Sequence, residues 1–507
     1  MKSSAQAGAP SARLLFKDIL QGSGLYSAAL MGQRLAGVIL VPITTRFLVP
    51  ADYGVADLLG QVGSVLSILL GLQFSQALGY FYFQAESGEA RRSVVGTTVM
   101  GAAIIGVFVG AVCWPFSGLV SRLVFGNASA AHYLRLVLVS MPAGFLAESL
   151  LNWLRVENRP GMFVLGSLVR TGATMAGIVV LVAALRLRVW GMLYTALISA
   201  ALVALFLAVH CFRAARPRFD ARLFFRMLRF AAPIGLSGIA MFLIHFGDRF
   251  VLPHYRSLAE LGIYVLAYKI GMLLSVAYAA FQTYWSAQVF HIMRRDDAET
   301  VFARLFTYVI LALSFGGLGL IVCSRPALRI LVAPAFQGAA PVVPVIVIAY
   351  YIRSVGDYLR CLFLASGHPS YDAICNWAGA VVCLTGYLTL IPRFGMWGAA
   401  FATAAAFTVI GVLSVIWTYR LRPYRVEAGR LVKIGVALAA GAISYSFLPA
   451  PSLVAQIGLA ALSLALFLLT LWLLRFPTSG ELQAGRTVFQ ALARGESKVS
   501  AIYLVNL

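Results

Sequence analysis

The feature that most constrains this chain is an apolar run of roughly 20–28 residues, recurring about fourteen times with short polar punctuation between copies. The runs fall at 22–46, 55–83, 93–117, 131–155, 160–184, 189–212, 231–252, 259–290, 299–323, 339–366, 371–391, 395–419, 430–450 and 452–475. A helix rising about 1.5 Å per residue crosses a hydrocarbon core of roughly 30 Å in about 20 residues. The runs are apolar on every face, which excludes the alternating strands of a membrane barrel. Of the 507 residues, 61% are hydrophobic and 11% charged, against roughly 25% charged in soluble proteins. The predicted fold is all-α and polytopic, with about fourteen transmembrane helices and the bilayer as solvent.

The formal net charge is +22. In a soluble domain that balance suggests nucleic acid. Here Lys and Arg sit mainly in short loops between apolar runs, so membrane lipids are the expected partners and nucleic acid is not. With the N-terminus inside, about 25 basic residues lie on the inner side and about 8 on the outer, a clear positive-inside bias. Both termini are therefore expected in the cytoplasm. The six cysteines are scattered, with no C-x-x-C, so neither a disulfide framework nor a metal site or resident cofactor is expected. No cleavable signal is expected either. External loops are short, leaving no room for a catalytic domain, and no catalytic residue is assigned.

The chain uses one pattern twice. Arg46-Phe47-Leu48-Val49-Pro50 returns as Arg249-Phe250-Val251-Leu252-Pro253. Each copy is followed by an acid, one residue, a glycine and an aliphatic: Asp52-Tyr53-Gly54-Val55, then Glu260-Leu261-Gly262-Ile263. Arg159-Pro160 answers His368-Pro369, and Trp190-Gly191 answers Trp397-Gly398, at an offset of about 205–210 residues. The matches predict two parallel six-helix repeats related by an axis along the membrane normal. The implied plan is a cytoplasmic segment at 1–21, a first lobe at 22–212, a linker at 213–230, a second lobe at 231–420, two added helices within 430–475, and a cytoplasmic tail at 476–507. In the linker, Arg218, Arg222 and Arg226 recur at helical spacing opposite Leu223, Phe224, Met227 and Leu228. That stretch reads either as an interfacial amphipathic helix or as a solvated tether.

Charges inside the spans need explaining, because each costs at least about 2.5–3.5 kcal/mol at a helix centre. The basic ones are Arg34, Arg135, Arg170, Arg249, Lys269, Arg353 and Arg360; the acids are Asp57, Glu148, Asp248 and Asp357. Glu148 and Arg170 lie at nearly equal distances from the Asn158 turn, which predicts a structural ion pair. Asp57 lies within reach of Arg46. Arg353, Asp357 and Arg360 share one helix face, with one acid between two arginines. Arg34, Arg249 and Lys269 show no obvious acid at their own depth. Adjacent Asp248 cannot simply neutralise Arg249, since neighbouring helical residues diverge by about 100°. These cations predict a hydrated, positively charged intramembrane cavity, in which Arg34, Arg249, Lys269 and Arg353 hold a phosphate-type anion. Asp57, His245, Asp248, Asp357 and Arg360 are candidates for cavity charge or coupling. Tyr26, Tyr80, Tyr82, Tyr264, Tyr268, Tyr284 and Trp285 are aromatics for sugar stacking, packing or interface belts.

The residues Phe47-Leu48-Val49-Pro50-Ala51-Asp52-Tyr53-Gly54, Ala232-Pro233-Ile234-Gly235, Asp248-Arg249-Phe250, Glu260-Leu261-Gly262-Ile263-Tyr264 and Ala267-Tyr268-Lys269-Ile270 carry a resemblance over roughly residues 20–475. The chain resembles the Wzx-like polysaccharide-biosynthesis flippases of the MOP superfamily, which also holds the MATE exporters and lipid II flippases. The resemblance implies two six-helix bundles in a V with two extra helices, in a bacterial inner membrane. It implies alternating access and an undecaprenyl-diphosphate-linked oligosaccharide as cargo, such as an O-antigen or exopolysaccharide repeat unit, moved from the cytoplasmic to the periplasmic leaflet. Helices 1, 2, 7 and 8 would line its cavity, and polysaccharide polymerase and chain-length proteins would be its partners. Two other classes compete. A MATE-like drug or cation antiporter would need carboxylates as the main charge of the cavity. A membrane glycosyl-transfer enzyme would need a large outer loop. Coupling to H+ has a candidate in His245, spaced with Asp248 and Arg249 on one face; coupling to Na+ has no sequence support.

Overall fold

The computed structural model describes Tyr26, Ala29 and residues 31–33, 35–70, 72–215, 218–293, 296–421, 426–447 and 451–477. After helical residues around Leu35–Ile39, the first half continues through α1 (Val41–Phe47), α2 (Pro50–Leu70), α3 (Leu72–Gln84), α4 (Gly88–Cys113), α5 (Ser117–Phe125), α6 (Ala131–Val156), α7 (Pro160–Gly177), a π-helical turn (Ile178–Ala184) and α8 (Arg188–Ala215). The second half comprises α9 (Ala221–Phe246), α10 (Asp248–Tyr255), α11 (Leu258–Gly271), α12 (Leu273–Ile292), α13 (Ala298–Leu331), a 3-10 segment (Pro334–Ala339), α14 (Val343–Ala365), α15 (Pro369–Phe394) and α16 (Met396–Leu421). Two more helices, α17 (Ala428–Phe447) and α18 (Leu453–Leu473), follow. No strand occurs among the described residues. Ten described helices are long and apolar enough to cross a membrane, against about fourteen apolar runs in the sequence. The first run, 22–46, lies partly outside the described residues.

The Arg-Phe-x-x-Pro match is not a structural equivalence, since Pro50 opens α2 while Pro253 lies inside α10, but the two later matches are equivalent. Pro160 and Pro369 each open a helix, where the missing N–H of proline costs nothing. Each opening follows a left-handed residue, Asn158 (φ 53°) or Gly367 (φ 77°). The glycines after Trp190 and Trp397 serve one purpose: a Cβ on Gly191 would meet Leu181 O at 2.9 Å, and one on Gly398 would collide with Leu390 O. The helix packing repeats as well. In the first half α6 and α7 both pack on α8; in the second half α14 and α15 both pack on α16. α17 and α18 lie outside this scheme and pack on α13, around Leu318, Val322, Ile434, Ala437 and Phe467.

The stretch before the second half is firmly attached. Asp220 N donates to Thr97 Oγ1 at 3.0 Å, and the Asp220 carboxylate caps α9 by accepting from Arg222 N and Leu223 N. Gly96 leaves no room for a Cβ against the Arg218 backbone. α9 then runs without a break from Ala221 to Phe246. The basic stretch from Ala221 onward is thus the first turns of a long helix, with Met227 buried and Arg222, Arg226 and Arg229 exposed. It is neither a free tether nor a separate helix.

The two halves share a large core at one end, and α9 joins them again toward the other. Leu48, Tyr53, Leu58, Ile178 and Val189 of the first half pack in one cluster with Leu261, Tyr264, Leu266 and Phe336 of the second. Toward the other end, the first half closes on a smaller core of Phe74, Leu78, Val95, Leu150, Trp153 and Leu207, to which the first turns of α9 add Met227 with Phe224 and Phe230 against it. The halves are thus joined where α2 and α11 begin and, at the far end, through α9.

Candidate functional site

Most of the predicted charges meet where α2 crosses α11 and α9 faces α14. Arg249 is 3% exposed, and its Nη1 donates to Asp57 Oδ2 of α2 at 2.5 Å. The guanidinium also stacks on Tyr268, 5.1 Å from the ring centroid. Asp57 therefore serves Arg249, while Arg46 lies exposed. The expectation that Arg249 lacks an acid at its depth is overturned. Its partner lies 192 residues away, and only the tertiary packing brings it close. Neighbouring Asp248 is fully buried; Tyr264 donates its hydroxyl to Oδ2, and Oδ1 has no hydrogen-bond partner among the described residues.

A chain of polar contacts leads from there into α14. Tyr350 donates to Tyr268 at 3.0 Å and lies 3.3 Å from His245 Nδ1. Arg353 Nη1 lies against the His245 ring, which must accept, since a guanidinium carries donors only. Arg353 Nε donates to Asp357 Oδ2 at 3.4 Å. Arg360 closes on the other oxygen of Asp357, then reaches Asn376 at 2.7 Å and Asp372 at 3.1 Å. The predicted face of Arg353, Asp357 and Arg360 forms, but Asp372 of α15 removes the surplus positive charge that the sequence suggested. That acid sits 12 residues beyond Arg360 on the next helix, where helical spacing gives no signal.

A cavity of about 590 Å³ opens between the first helix and α9, α11, α12, α13 and α14. Its walls are mainly apolar, including Val41, Val276, Leu320 and Leu331; its charged members are Lys269 and Arg353, and His245 also lines it. No acid is among the described lining residues. Lys269 Nζ donates to Tyr53 Oη at 2.8 Å and lies 4.6 Å from that ring centroid. Among the described residues no carboxylate comes within ion-pair distance of Lys269. Tyr53 was not a predicted site residue, although it sits inside the duplicated acid-x-Gly motif.

The predicted anion holders thus divide. Lys269 and Arg353 line the cavity; Arg249 is buried behind it against Asp57; Arg34 lies outside the described residues. Helix α2 lends Asp57 and Tyr53 to these contacts without lining this cavity. Arg170 pairs with Glu148 between α7 and α6, away from the site. Tyr264, Tyr268 and Trp285 are buried in the core and offer no face to a sugar, while Tyr80 and Tyr284 are exposed.

The model of a family described as polysaccharide biosynthesis protein matches residues 19–285, more than half of the chain. The chain belongs to that family. Among solved structures, this family member is similar to the lipid II flippase MurJ in an inward closed conformation. The TM-score is 0.70 at 16% identity, covering 87% of this chain and 97% of that one. It is also similar to an inward-facing multidrug resistance MATE transporter of the MOP superfamily, with a TM-score of 0.61 at 17% identity over 78% of this chain and 94% of that one. A third likeness is to a MOP superfamily transporter from Pyrococcus furiosus described as having a binding pocket of reverse polarity. There the TM-score is 0.52 at 16% identity, over 80% of this chain and 94% of that one. No curated protein matches the sequence. At these identities the likeness is one of fold: this family member is a multi-pass membrane protein with the MurJ and MATE architecture.

Proposed function

We propose that the protein flips an undecaprenyl-diphosphate-linked oligosaccharide from the cytoplasmic to the periplasmic leaflet of a bacterial inner membrane by alternating access. One observation carries this reading: a mainly apolar cavity within the bundle holds Lys269, which has no carboxylate partner among the described residues, and no described acid. An ammonium in such a place retains its favourable energy only with an anion or water beside it. A lipid-linked diphosphate matches both parts, with the phosphates on Lys269 and Arg353 and the lipid along the apolar wall. Arg249 and Arg34 join as the halves move. On this reading the larger shared core lies at the periplasmic end, and both termini are cytoplasmic. The lobes 22–212 and 231–420 rock about it, the stretch 213–230 ties them, and the helices within 430–475 are additions. The chain performs no covalent chemistry. An H+ or Na+ gradient supplies the direction, and polysaccharide polymerase and chain-length proteins receive the product. Drug or cation export fits poorly, since Asp57 and Asp357 are already held by arginines.

The test is flipping of a fluorescent undecaprenyl-diphosphate oligosaccharide by the reconstituted full chain. Lys269→Gln is expected to slow it by about tenfold or more, the worth of one charge-assisted contact. Lys269→Arg should retain most of the rate, and thermal unfolding should match the wild type. Undiminished flipping by inserted, folded Lys269→Gln protein overturns the reading.

A further inference from the structure

A second cavity, of about 380 Å³, lies where the end of α13, the 3-10 segment and the start of α18 meet. Its polar walls are Arg325 and Arg329 of α13, Gln337 of the 3-10 segment and Gln456 of α18. Arg325 and Arg329 stand four residues apart, so they share a helix face and repel each other. Among the described residues neither has a carboxylate within ion-pair distance. Arg329 Nη1 donates to Pro451 O at 3.2 Å, and the Arg325 guanidinium lies 5.7 Å from the Tyr445 ring centroid. These contacts orient both side chains without neutralising either. Two exposed guanidinium forks beside two amides form a donor-rich pocket suited to phosphate oxygens.

The position adds to the chemistry. On the topology proposed above, this end of α13 is periplasmic, where basic residues are disfavoured and need a reason to be present. Leu328 lines both this pocket and the central cavity, so one buried side chain separates them. We propose that the Arg325–Arg329 pocket is a second phosphate site, which takes a lipid-borne phosphate headgroup at the outer leaflet as it leaves the central cavity. The release step rests on the transport reading; the binding itself does not.

Native mass spectrometry of the full chain with dioleoyl phosphatidic acid, dioleoyl phosphatidylcholine or inorganic pyrophosphate tests the site without any transport. The wild type should retain phosphatidic acid in preference to phosphatidylcholine. R325Q/R329Q should weaken that adduct by about tenfold or more, while R122Q, at an exposed arginine that lines neither cavity, should leave it in place. Ala340→Trp, which fills the pocket and keeps both charges, should weaken it too and stands in if the double variant does not fold. Unchanged retention in R325Q/R329Q or in Ala340→Trp overturns the site. Loss of the adduct in R122Q as well overturns a defined site in favour of general surface charge. Pyrophosphate displacing phosphatidic acid at equal concentration overturns the lipid-borne ligand. Failed flipping with intact phosphatidic acid binding overturns the transport reading and leaves the site standing.

Discussion

Gly54 of α2 and Gly262 of α11 pack against each other across the two halves of the bundle. A Cβ on Gly54 would stand 3.0 Å from Gly262 N, and one on Gly262 would collide with Pro50 O. These glycines occupy the same place in the two copies of the acid-x-Gly motif, so the duplicated motif meets its own copy. Small residues let helix backbones approach closely in a membrane, where lipid removes the hydrophobic drive for association. Gly262→Ala should therefore part the helices at this end. Spin labels at Val49 and Tyr255, both exposed nearby, should read a longer mean distance in Gly262→Ala than in the parent, in a background lacking the six native cysteines. An unchanged distance would mean that the contact does not hold this end shut.

Much of the architecture was legible because hydrocarbon imposes simple rules. Uniformly apolar runs had to be helices, and Pro160, Pro369, Gly191 and Gly398 marked their equivalent starts. The pairing of Glu148 with Arg170 was readable because both lie near one short turn. The partner of Arg249 was not readable. Asp57 lies in the other half, and the crossing of α2 and α11 depends on two glycines whose role the sequence does not declare. The same limit hid Tyr53 beneath Lys269 and Asp372 beside Arg360.

Asp57 and Arg249 should behave as a buried ion pair. With side chains 10% and 3% exposed, neither charge is well solvated if its partner is removed. Asp57→Asn alone should destabilise the protein by about 3–5 kcal/mol. The double variant Asp57→Leu, Arg249→Met should recover much of that, because it leaves no orphan charge. A double-mutant cycle followed by thermal unfolding in detergent would measure the coupling. Additive effects of the two single changes would contradict the pairing.

Gly96 should be intolerant for a different reason. Its Cα lies under the backbone of Arg218, where Asp220 N reaches Thr97 Oγ1. Gly96→Val should lift the connection between the halves off α4 and release the Asp220 cap from its anchor. Trypsin cleavage of the folded protein at Arg218 or Arg222 should become much faster in Gly96→Val than in the parent, while Gly88→Ala, where a Cβ meets open space, should leave it unchanged. Equal rates for all three proteins would show that Gly96 does not hold the connection down.

Where a proton gradient drives the cycle, Asp248 is better placed to carry the proton than His245. The His245 ring accepts from Arg353 and faces Tyr350, so a second ring proton would set imidazolium against guanidinium. Asp248 has an unpartnered Oδ1 buried beside Arg249, with Tyr264 on its other oxygen and Tyr387 and Cys383 of α15 close by. A proton there neutralises the buried carboxylate and releases Arg249 from one of two nearby carboxylates, leaving the pair with Asp57 as its main tie. That tie joins the halves, so on the proposed transport reading the charge of Asp248 bears on a contact at the end that opens. Asp248→Asn imitates the protonated form. Its flipping rate should no longer respond to an imposed pH gradient, whereas His245→Gln should lose rate but keep the response. A gradient response that survives Asp248→Asn and vanishes in His245→Gln would assign the proton to the imidazole instead.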